Sequence, residues 1–140
     1  MNPNPQLAHY ESKLAYEIDS WDVYEAQKAG DDIIVIDARS EASFEKAHIL
    51  GAISLPHKQM TSDNTAHMSK SALYAVYCDG LGCNASTAGA MKMARLGFNV
   101  RELIGGLEWW RGHGYPVQAD QASHQAAPIA ETAGVACDCA

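Results

Sequence analysis

The 140-residue sequence is short of positive charge: it holds 10 Lys and Arg against 17 Asp and Glu, a formal net charge of -7. Nucleic acids and anionic membrane surfaces both select basic patches, so neither is expected as the main partner. The sequence also lacks any run close to the roughly 18 to 20 apolar residues that a membrane-spanning helix needs. We therefore expect no nucleic-acid partner and no membrane insertion.

The first residues, MNPNPQLAHYESK, lack the basic segment followed by an apolar one that is typical of a secretory signal. Cysteine is scarce, and the four cysteines are crowded into one internal loop and the C-terminal end. That crowding fits poorly with the disulfide framework of a secreted domain. The sequence therefore predicts a cytoplasmic protein, in which Cys78, Cys83, Cys137 and Cys139 are kept mostly as thiols.

What the sequence does contain is an alternation of apolar runs and helical patterns. A hydrophobic content of 47% over this length is enough for one modest core. Apolar runs at 33–36, 52–55, 73–77 and 100–104 predict strands, with helices between them. The predicted fold is α/β, with a mainly parallel central sheet flanked by helices on both faces. Residues 1–17 are interpreted as an N-terminal extension with a helix, and residues 119–140 as a flexible Ala-rich tail.

One stretch, residues 73–97 (LYAVYCDGLGCNASTAGAMKMARLG), has the strongest functional signal. A strand at 73–77 leads into a loop that starts at Cys78, and Ser86 and Thr87 offer N-cap hydroxyls to a helix that Gly97 can end. Sites in parallel sheets form beyond the carboxyl ends of strands. Loop amides and a helix N-terminus favour negative charge there, and so favour a thiolate, the nucleophilic form of cysteine.

Each cysteine of this loop also has other interpretations. Cys78 could simply be a small buried apolar residue. Cys83 could be a resolving thiol, a second nucleophile or an ordinary loop residue. If Cys78 became a sulfenic acid or a persulfide, Cys83 could attack it and close a disulfide. The spacing permits this bond, and only geometry decides it.

Four segments in order resemble the rhodanese-like (sulfurtransferase) domains, and the likeness spans residues 18–118. Residues 34–39, IVIDAR, look like the strand of that family followed by Asp-Val-Arg. The run AHILGAISLP at 47–56, with Phe44 before it, is similar to the family's Gly-His-Ile-x-Gly-Ala segment. Val76-Tyr77-Cys78 matches the strand that delivers the active-site cysteine. Residues 103–117, LIGGLEWWRGHGYPV, resemble the closing Gly-Gly, Trp and Gly-x-Pro-Val segment.

The resemblance implies a domain whose cysteine accepts sulfane sulfur as a persulfide and passes it to a thiophilic acceptor. Cys78 takes the position of the catalytic nucleophile. The rest of its loop would bind the substrate, namely Asp79, Gly80, Leu81, Gly82, Cys83, Asn84, Ala85 and Ser86. The implied partners are a small-molecule or protein-bound sulfane-sulfur donor and a thiol acceptor. No cofactor and no metal are expected.

The loop departs from the family pattern of Cys, four residues, Arg, and then Ser or Thr. It is about two residues longer, Ala85 stands where the arginine would be, and it contains no Lys or Arg, while Asp79 adds negative charge. A dianionic donor such as thiosulfate should bind less well at this loop than an uncharged or protein-bound persulfide. Related folds with enlarged loops that act on phosphate or arsenate esters keep that arginine, which argues against phosphatase activity.

Other charged and sulfur-bearing residues have structural interpretations. Asp37 and Arg39, at the end of a predicted strand, are expected to hold loops together and not to catalyse. The Cys137-Asp138-Cys139 segment, with His124 upstream, has too few and too closely spaced thiolates for a closed zinc site. A different function class also remains open: a catalytically weak binding or redox-sensing module that uses Cys78 and Cys83.

Overall fold

The structure is a computed structural model and describes residues 4–119. Its elements alternate between helices and strands along the chain. In order they are α1 (Pro5–Tyr16), β1 (Glu17–Ile18), α2 (Ser20–Ala29), β2 (Ile33–Asp37), α3 (Glu41–Lys46), β3 (Ala47–Ile49), β4 (Ile53–Ser54), a 3-10 helix (His57–Gln59), β5 (Leu73–Tyr77), α4 (Ala85–Arg95), β6 (Asn99–Leu103), α5 (Gly106–Gly112) and β7 (Val117–Ala119).

Five of these strands form one parallel sheet in the order β1-β6-β5-β2-β4. The central strand is β5, whose residues 74–77 are all fully buried. Alternate side chains of β5 enter two separate cores: Tyr74 and Val76 pack with α4, and Ala75 and Tyr77 pack with α2 and α5. Both faces of the sheet are therefore covered, which confirms the predicted α/β class.

Helix α4 lies close against β5 because it carries a glycine at the contact. A Cβ atom at Gly89 would stand 3.0 Å from the Met60 Cε and 3.1 Å from the Val76 Cγ1. A larger side chain would push the helix off the sheet. This close approach sets where the N-terminus of α4 meets the loop that follows β5.

A second, two-stranded antiparallel sheet joins β3 and β7, with His48 opposite Gln118 and Ala47 opposite Ala119. The sequence has no strand signal at 117–119 and predicts that Ala119 begins the tail. The structure instead makes Ala119 the last residue of β7, because β7 pairs with a strand far away in the chain. Residues 120–140 of the predicted tail lie outside the described residues.

The predicted N-terminal helix is present as α1, with the Asn4 side chain capping its first turn. None of its residues is buried, so its apolar side chains Leu7, Tyr10 and Leu14 remain exposed. In the part of the chain that the structure describes, no helix has the length and apolar character to cross a bilayer.

Candidate active site

Cys78 directly follows the central strand β5 and starts the loop that runs to α4. Its carbonyl oxygen accepts a hydrogen bond from the Leu107 N–H at 3.0 Å, and the Asp79 carbonyl accepts one from the Glu108 N–H at 2.8 Å. Both donors belong to the first turn of α5, where helix N–H groups have no partner inside the helix. The start of the cysteine loop is thus fixed by the N-terminus of α5.

This contact requires a glycine at the start of α5. Gly106 has a φ of 57°, and a Cβ atom there would overlap the Cys78 carbonyl oxygen and stand 2.9 Å from the Asp79 carbonyl carbon. Gly105, with a φ of 87°, would likewise overlap the Trp109 side chain. The Gly-Gly pair of the closing sequence segment therefore has a steric reason: it lets α5 reach the backbone of the cysteine loop.

The loop folds back so that its two cysteines meet. The Cys83 N–H donates to the Gly80 carbonyl at 3.2 Å, while Leu81 at the tip is 68% exposed. Cys83 returns to Cys78 with a Cα–Cα distance of 6.3 Å, and the two sulfurs are joined in a disulfide. The expectation that both residues are mostly thiols is therefore corrected. The structure shows the oxidised form of this loop, with Cys78 only 1% exposed and Cys83 6% exposed.

The N-terminus of α4 differs from the sequence prediction. The helix begins at Ala85, and its N-cap residue Asn84 makes no side-chain capping bond. The Ser86 and Thr87 hydroxyls, expected as caps, both donate to one oxygen of Glu102 on β6 at 2.7 Å. A carboxylate at the positive end of the helix dipole stabilises this end of α4. Glu102 carries no local sequence signal, since its partners lie 15 and 16 residues away.

A buried charge network lies beside the cysteine loop, at the end of β2. The Arg39 side chain makes a forked contact with Asp37, with Nε to Oδ1 at 2.9 Å and Nη2 to Oδ2 at 2.6 Å. The Tyr77 hydroxyl donates to the same Asp37 oxygen at 2.8 Å and accepts the Ile49 N–H at 3.1 Å. The prediction that Asp37 and Arg39 are paired and hold loops together agrees with these contacts.

The same guanidinium also reaches the cysteine loop. Arg39 Nη1 donates to the Asp79 Oδ1 at 2.9 Å across a sequence separation of 40 residues. The sequence alone predicts no positive charge at this loop and leaves Asp79 uncompensated. In the structure, one arginine serves two carboxylates, Asp37 and Asp79.

Burial and the neighbouring charges shift the pKa values of two members of this network, Arg39 and Tyr77. Burial lowers the pKa of Arg39, but the hydrogen bond and charge of Asp37, with smaller contributions from Tyr77 and Asp79, raise that pKa overall. Burial, followed by the negative charge of Asp37, raises the pKa of Tyr77 well above its ordinary value. Arg39 therefore stays charged and Tyr77 stays a neutral hydrogen-bond donor.

A cleft of about 190 Å³ opens between the cysteine loop and the end of β6. Its lining consists of residues 80–84, Ser86, Thr87 and residues 102–105. Most of the predicted substrate-binding residues are therefore brought together in one cleft. Two are not: Asp79 faces Arg39, and Ala85 is fully buried in the core beneath α4. Of the two loop cysteines, Cys83 lines this cleft, whereas Cys78 lines neither it nor a second cleft of about 250 Å³ formed by residues 38–41 and 56–59.

The cleft beside the cysteines is acidic. Glu102 lines it, and Glu108 lies next to its edge, since a Cβ atom at Gly80 would stand 3.5 Å from the Glu108 Cβ. Within residues 4–119, no group of three or more His, Cys, Asp or Glu side chains could hold a metal ion. His124, Cys137 and Cys139 lie outside the described residues.

Comparison with known proteins agrees with this architecture. The family described as the rhodanese-like domain matches residues 20–113. A thiosulfate sulfurtransferase, GlpE, of Coxiella burnetii is 29% identical over 103 residues, which cover 72% of this chain and 89% of the relative. A crystal structure of a Bacillus halodurans protein has a TM-score of 0.78 and 37% identity, covering 89% of this chain and 98% of that chain. A rhodanese-related protein from Thermoplasma volcanium has a TM-score of 0.64 and 27% identity, with coverages of 74% and 97%. These matches confirm the resemblance predicted from the four sequence segments.

Proposed function

Because this chain belongs to the rhodanese-like domain family, we propose that it is a sulfurtransferase that carries sulfane sulfur on Cys78. The observation that carries the proposal is the position of Cys78. It starts the loop at the carboxyl end of the central strand of a parallel sheet, which is where such sheets bind their ligands. The name of the Coxiella burnetii relative, a thiosulfate sulfurtransferase, supports the reaction class.

The proposed cycle has two displacements at sulfur. In the first, the Cys78 thiolate attacks the outer sulfur of the donor, the sulfur–sulfur bond of the donor breaks, and the rest of the donor leaves with the electron pair. In the second, a thiolate acceptor attacks the outer sulfur of the Cys78 persulfide and restores the Cys78 thiolate. The protein needs to supply little beyond the Cys78 thiolate and access to it for the donor and the acceptor.

The charges around the loop favour a persulfide over thiosulfate as the donor. The cleft holds the Glu102 carboxylate, Glu108 lies at its edge, and the Arg39 guanidinium that reaches the loop is already shared by Asp37 and Asp79. A dianion entering this cleft meets like charge. We therefore propose a small-molecule or protein-bound persulfide donor and a thiol acceptor, with no nucleic-acid or membrane partner. A cycle that starts from reduced Cys78 suits the cytoplasm.

The test is sulfur transfer to cyanide by the pre-reduced protein. Wild type, Cys78→Ser and Cys83→Ser are each given thiosulfate or a low-molecular-weight persulfide together with cyanide, and thiocyanate is measured. We expect thiocyanate that depends on Cys78: background from Cys78→Ser, and at least as much from Cys83→Ser as from wild type, with faster formation from the persulfide than from thiosulfate. Equal thiocyanate from Cys78→Ser, with its fold confirmed by circular dichroism, would remove Cys78 from the mechanism.

The disulfide favours a second candidate, a redox-sensing module whose working change is the bond between Cys78 and Cys83. This candidate needs no sulfur transfer. It predicts that the reduced protein takes up no sulfur from either donor, and that a mild oxidant removes two hydrogens from the chain. Thiocyanate formation that depends on Cys78 would reject this candidate as the main function.

A further inference from the structure

The cysteine pair makes a second reaction available to the same loop. The Gly80–Cys83 turn returns the Cys83 side chain to the Cys78 sulfur, and the two residues have a Cα–Cα distance of 6.3 Å, within the range of ordinary disulfides. The bond joins the Cys83 sulfur to the sulfur atom that would carry a persulfide. Cys83 is thus placed to attack that atom, and the outer sulfur of a persulfide would lie about 2 Å beyond it.

The surroundings of the pair are largely apolar, and Cys83 also lines the cleft. Both cysteines are buried with Ala38, Val76 and Ala85 in the core beneath α4. The polar groups of the adjoining cleft include the Glu102 carboxylate, and the loop itself has no Lys or Arg. A perthiolate on Cys78 would therefore be stabilised less than one in a basic loop, which favours release of its outer sulfur as soluble hydrosulfide.

We propose that Cys83 is a resolving cysteine, which converts the Cys78 persulfide into hydrosulfide and a Cys78–Cys83 disulfide. This inference rests on the proposed function, since the Cys78 persulfide is its substrate. The domain is then a sulfane-sulfur reductase as well as a sulfur carrier. The disulfide in the structure is the product state of this step, and the sequence separation of five residues keeps the resolving thiol inside the loop.

The step balances without an external oxidant. A bond forms between the sulfurs of Cys83 and Cys78, and the bond between the Cys78 sulfur and the outer sulfur breaks. The electron pair of the broken bond and the proton of the Cys83 thiol leave together as hydrosulfide. The outer sulfur is reduced by two electrons, and the two cysteine sulfurs are oxidised to the disulfide. A dithiol then exchanges with this disulfide, restores both thiols and becomes a disulfide itself.

The test measures sulfide from a single turnover with no added thiol. Wild type is reduced with dithiothreitol, freed of it under anaerobic conditions and given one equivalent of a low-molecular-weight persulfide. Free dithiothreitol would itself take the sulfur, so its removal is essential. We expect wild type to release close to one sulfide per chain and to lose two hydrogens by intact mass. Cys83→Ser should instead gain one sulfur atom and release only the background of the donor, and Cys78→Ser should do neither.

Each other outcome has a separate meaning. Wild type that keeps the extra sulfur, on either cysteine, and releases no more sulfide than Cys83→Ser would overturn the resolving role and leave the sulfurtransferase proposal standing. Disulfide formation without matching sulfide would also overturn it and favour redox sensing. Absence of sulfur uptake in every Cys78-containing protein would overturn both proposals. If Cys83→Ser does not fold, Cys83→Ala replaces it, and the wild-type products alone still decide the question.

Discussion

The carboxyl ends of β2 and β5 lie side by side, with Asp37 opposite Tyr77 in the sheet register, but they are built in different ways. The end of β2 is a closed polar network, in which buried Asp37 is bonded by both Arg39 and Tyr77. The end of β5 is a loop whose start is held by backbone bonds to α5. Its cysteines are held by each other. The guanidinium of Arg39 therefore holds the scaffold together through Asp37 and Asp79.

The difference also separates a rigid part of the site from an adjustable one. Asp37 and Arg39 are 0% and 4% exposed, and their bonds reach across three segments of chain. Leu81, Gly82 and Asn84 in the cysteine loop are exposed. Exposed segments with few buried contacts open at low free energy, which is what a loop needs in order to break and reform a disulfide. The cysteine loop can therefore change conformation while the Asp37–Arg39 network stays in place.

Removal of the Arg39 charge at the β2 end is expected to have the largest effect on stability. Arg39→Ala leaves Asp37 buried without its cation, and we expect the free energy of unfolding to fall by about 3–5 kcal/mol. Urea denaturation of the reduced protein measures it. Arg39→Lys keeps the charge but loses the forked contact, so its loss should be smaller.

The matched control for Arg39 is an exposed ion pair. Lys28 contacts Glu25 at 3.1 Å, with both side chains largely in solvent, so Lys28→Ala should change the stability by less than about 1 kcal/mol. If Arg39→Ala lowered the free energy of unfolding no more than Lys28→Ala does, the network at the β2 end would not stabilise this site.

A second substitution tests how the β5 end is held. Gly106→Ala would place a methyl group on the Cys78 carbonyl, and Gly106 also has a positive φ. We expect a loss of about 1–3 kcal/mol and slower thiocyanate formation, because the start of the cysteine loop must shift. Gly112→Ala is the control on the same helix: no atom lies within 4 Å of its added Cβ, so no loss is expected. Equal effects of the two substitutions would mean that α5 does not position the loop.

The features that can be predicted from sequence are those with a local pattern. The strand at 73–77 is an unbroken apolar run, so its central place in a parallel sheet follows from burial on both faces. Cys78 can be placed at the carboxyl end of this strand for the same reason. The sequence permits the bond between Cys78 and Cys83 but does not require it, because a spacing of five residues leaves the direction of each side chain open.

The features that could not be predicted from the sequence depend on contacts between residues that are distant in the chain. Arg39 and Asp79 are 40 residues apart, and Glu102 takes hydroxyl bonds from the first turn of α4 across a whole helix. Strand β7 exists because it pairs with β3, about 70 residues earlier in the chain. Tertiary pairing decides such elements, and local propensity does not report it.

A positive charge placed beside the cysteine loop should increase the use of thiosulfate only modestly. Glu108 is exposed and lies against Gly80 at the edge of the cleft, so Glu108→Lys puts a positive charge where the loop has none. Two unit charges about 4 Å apart in water interact by about 1 kcal/mol, and the substitution changes the local charge by two beside a dianion, so kcat/KM for thiosulfate should rise by at least about fivefold. The gain should shrink as salt is added, because exposed charges are screened.

Glu11→Lys makes the same change of charge on the exposed helix α1 and should leave thiosulfate use unchanged. The backbone bond from the Glu108 N–H to Asp79 does not depend on the side chain, so the loop keeps its position in Glu108→Lys. If thiosulfate use did not change, or rose equally in Glu11→Lys, the carboxylates around the loop would not set the choice of donor. The contrast between the two strand ends would then lie in their geometry and not in their charge.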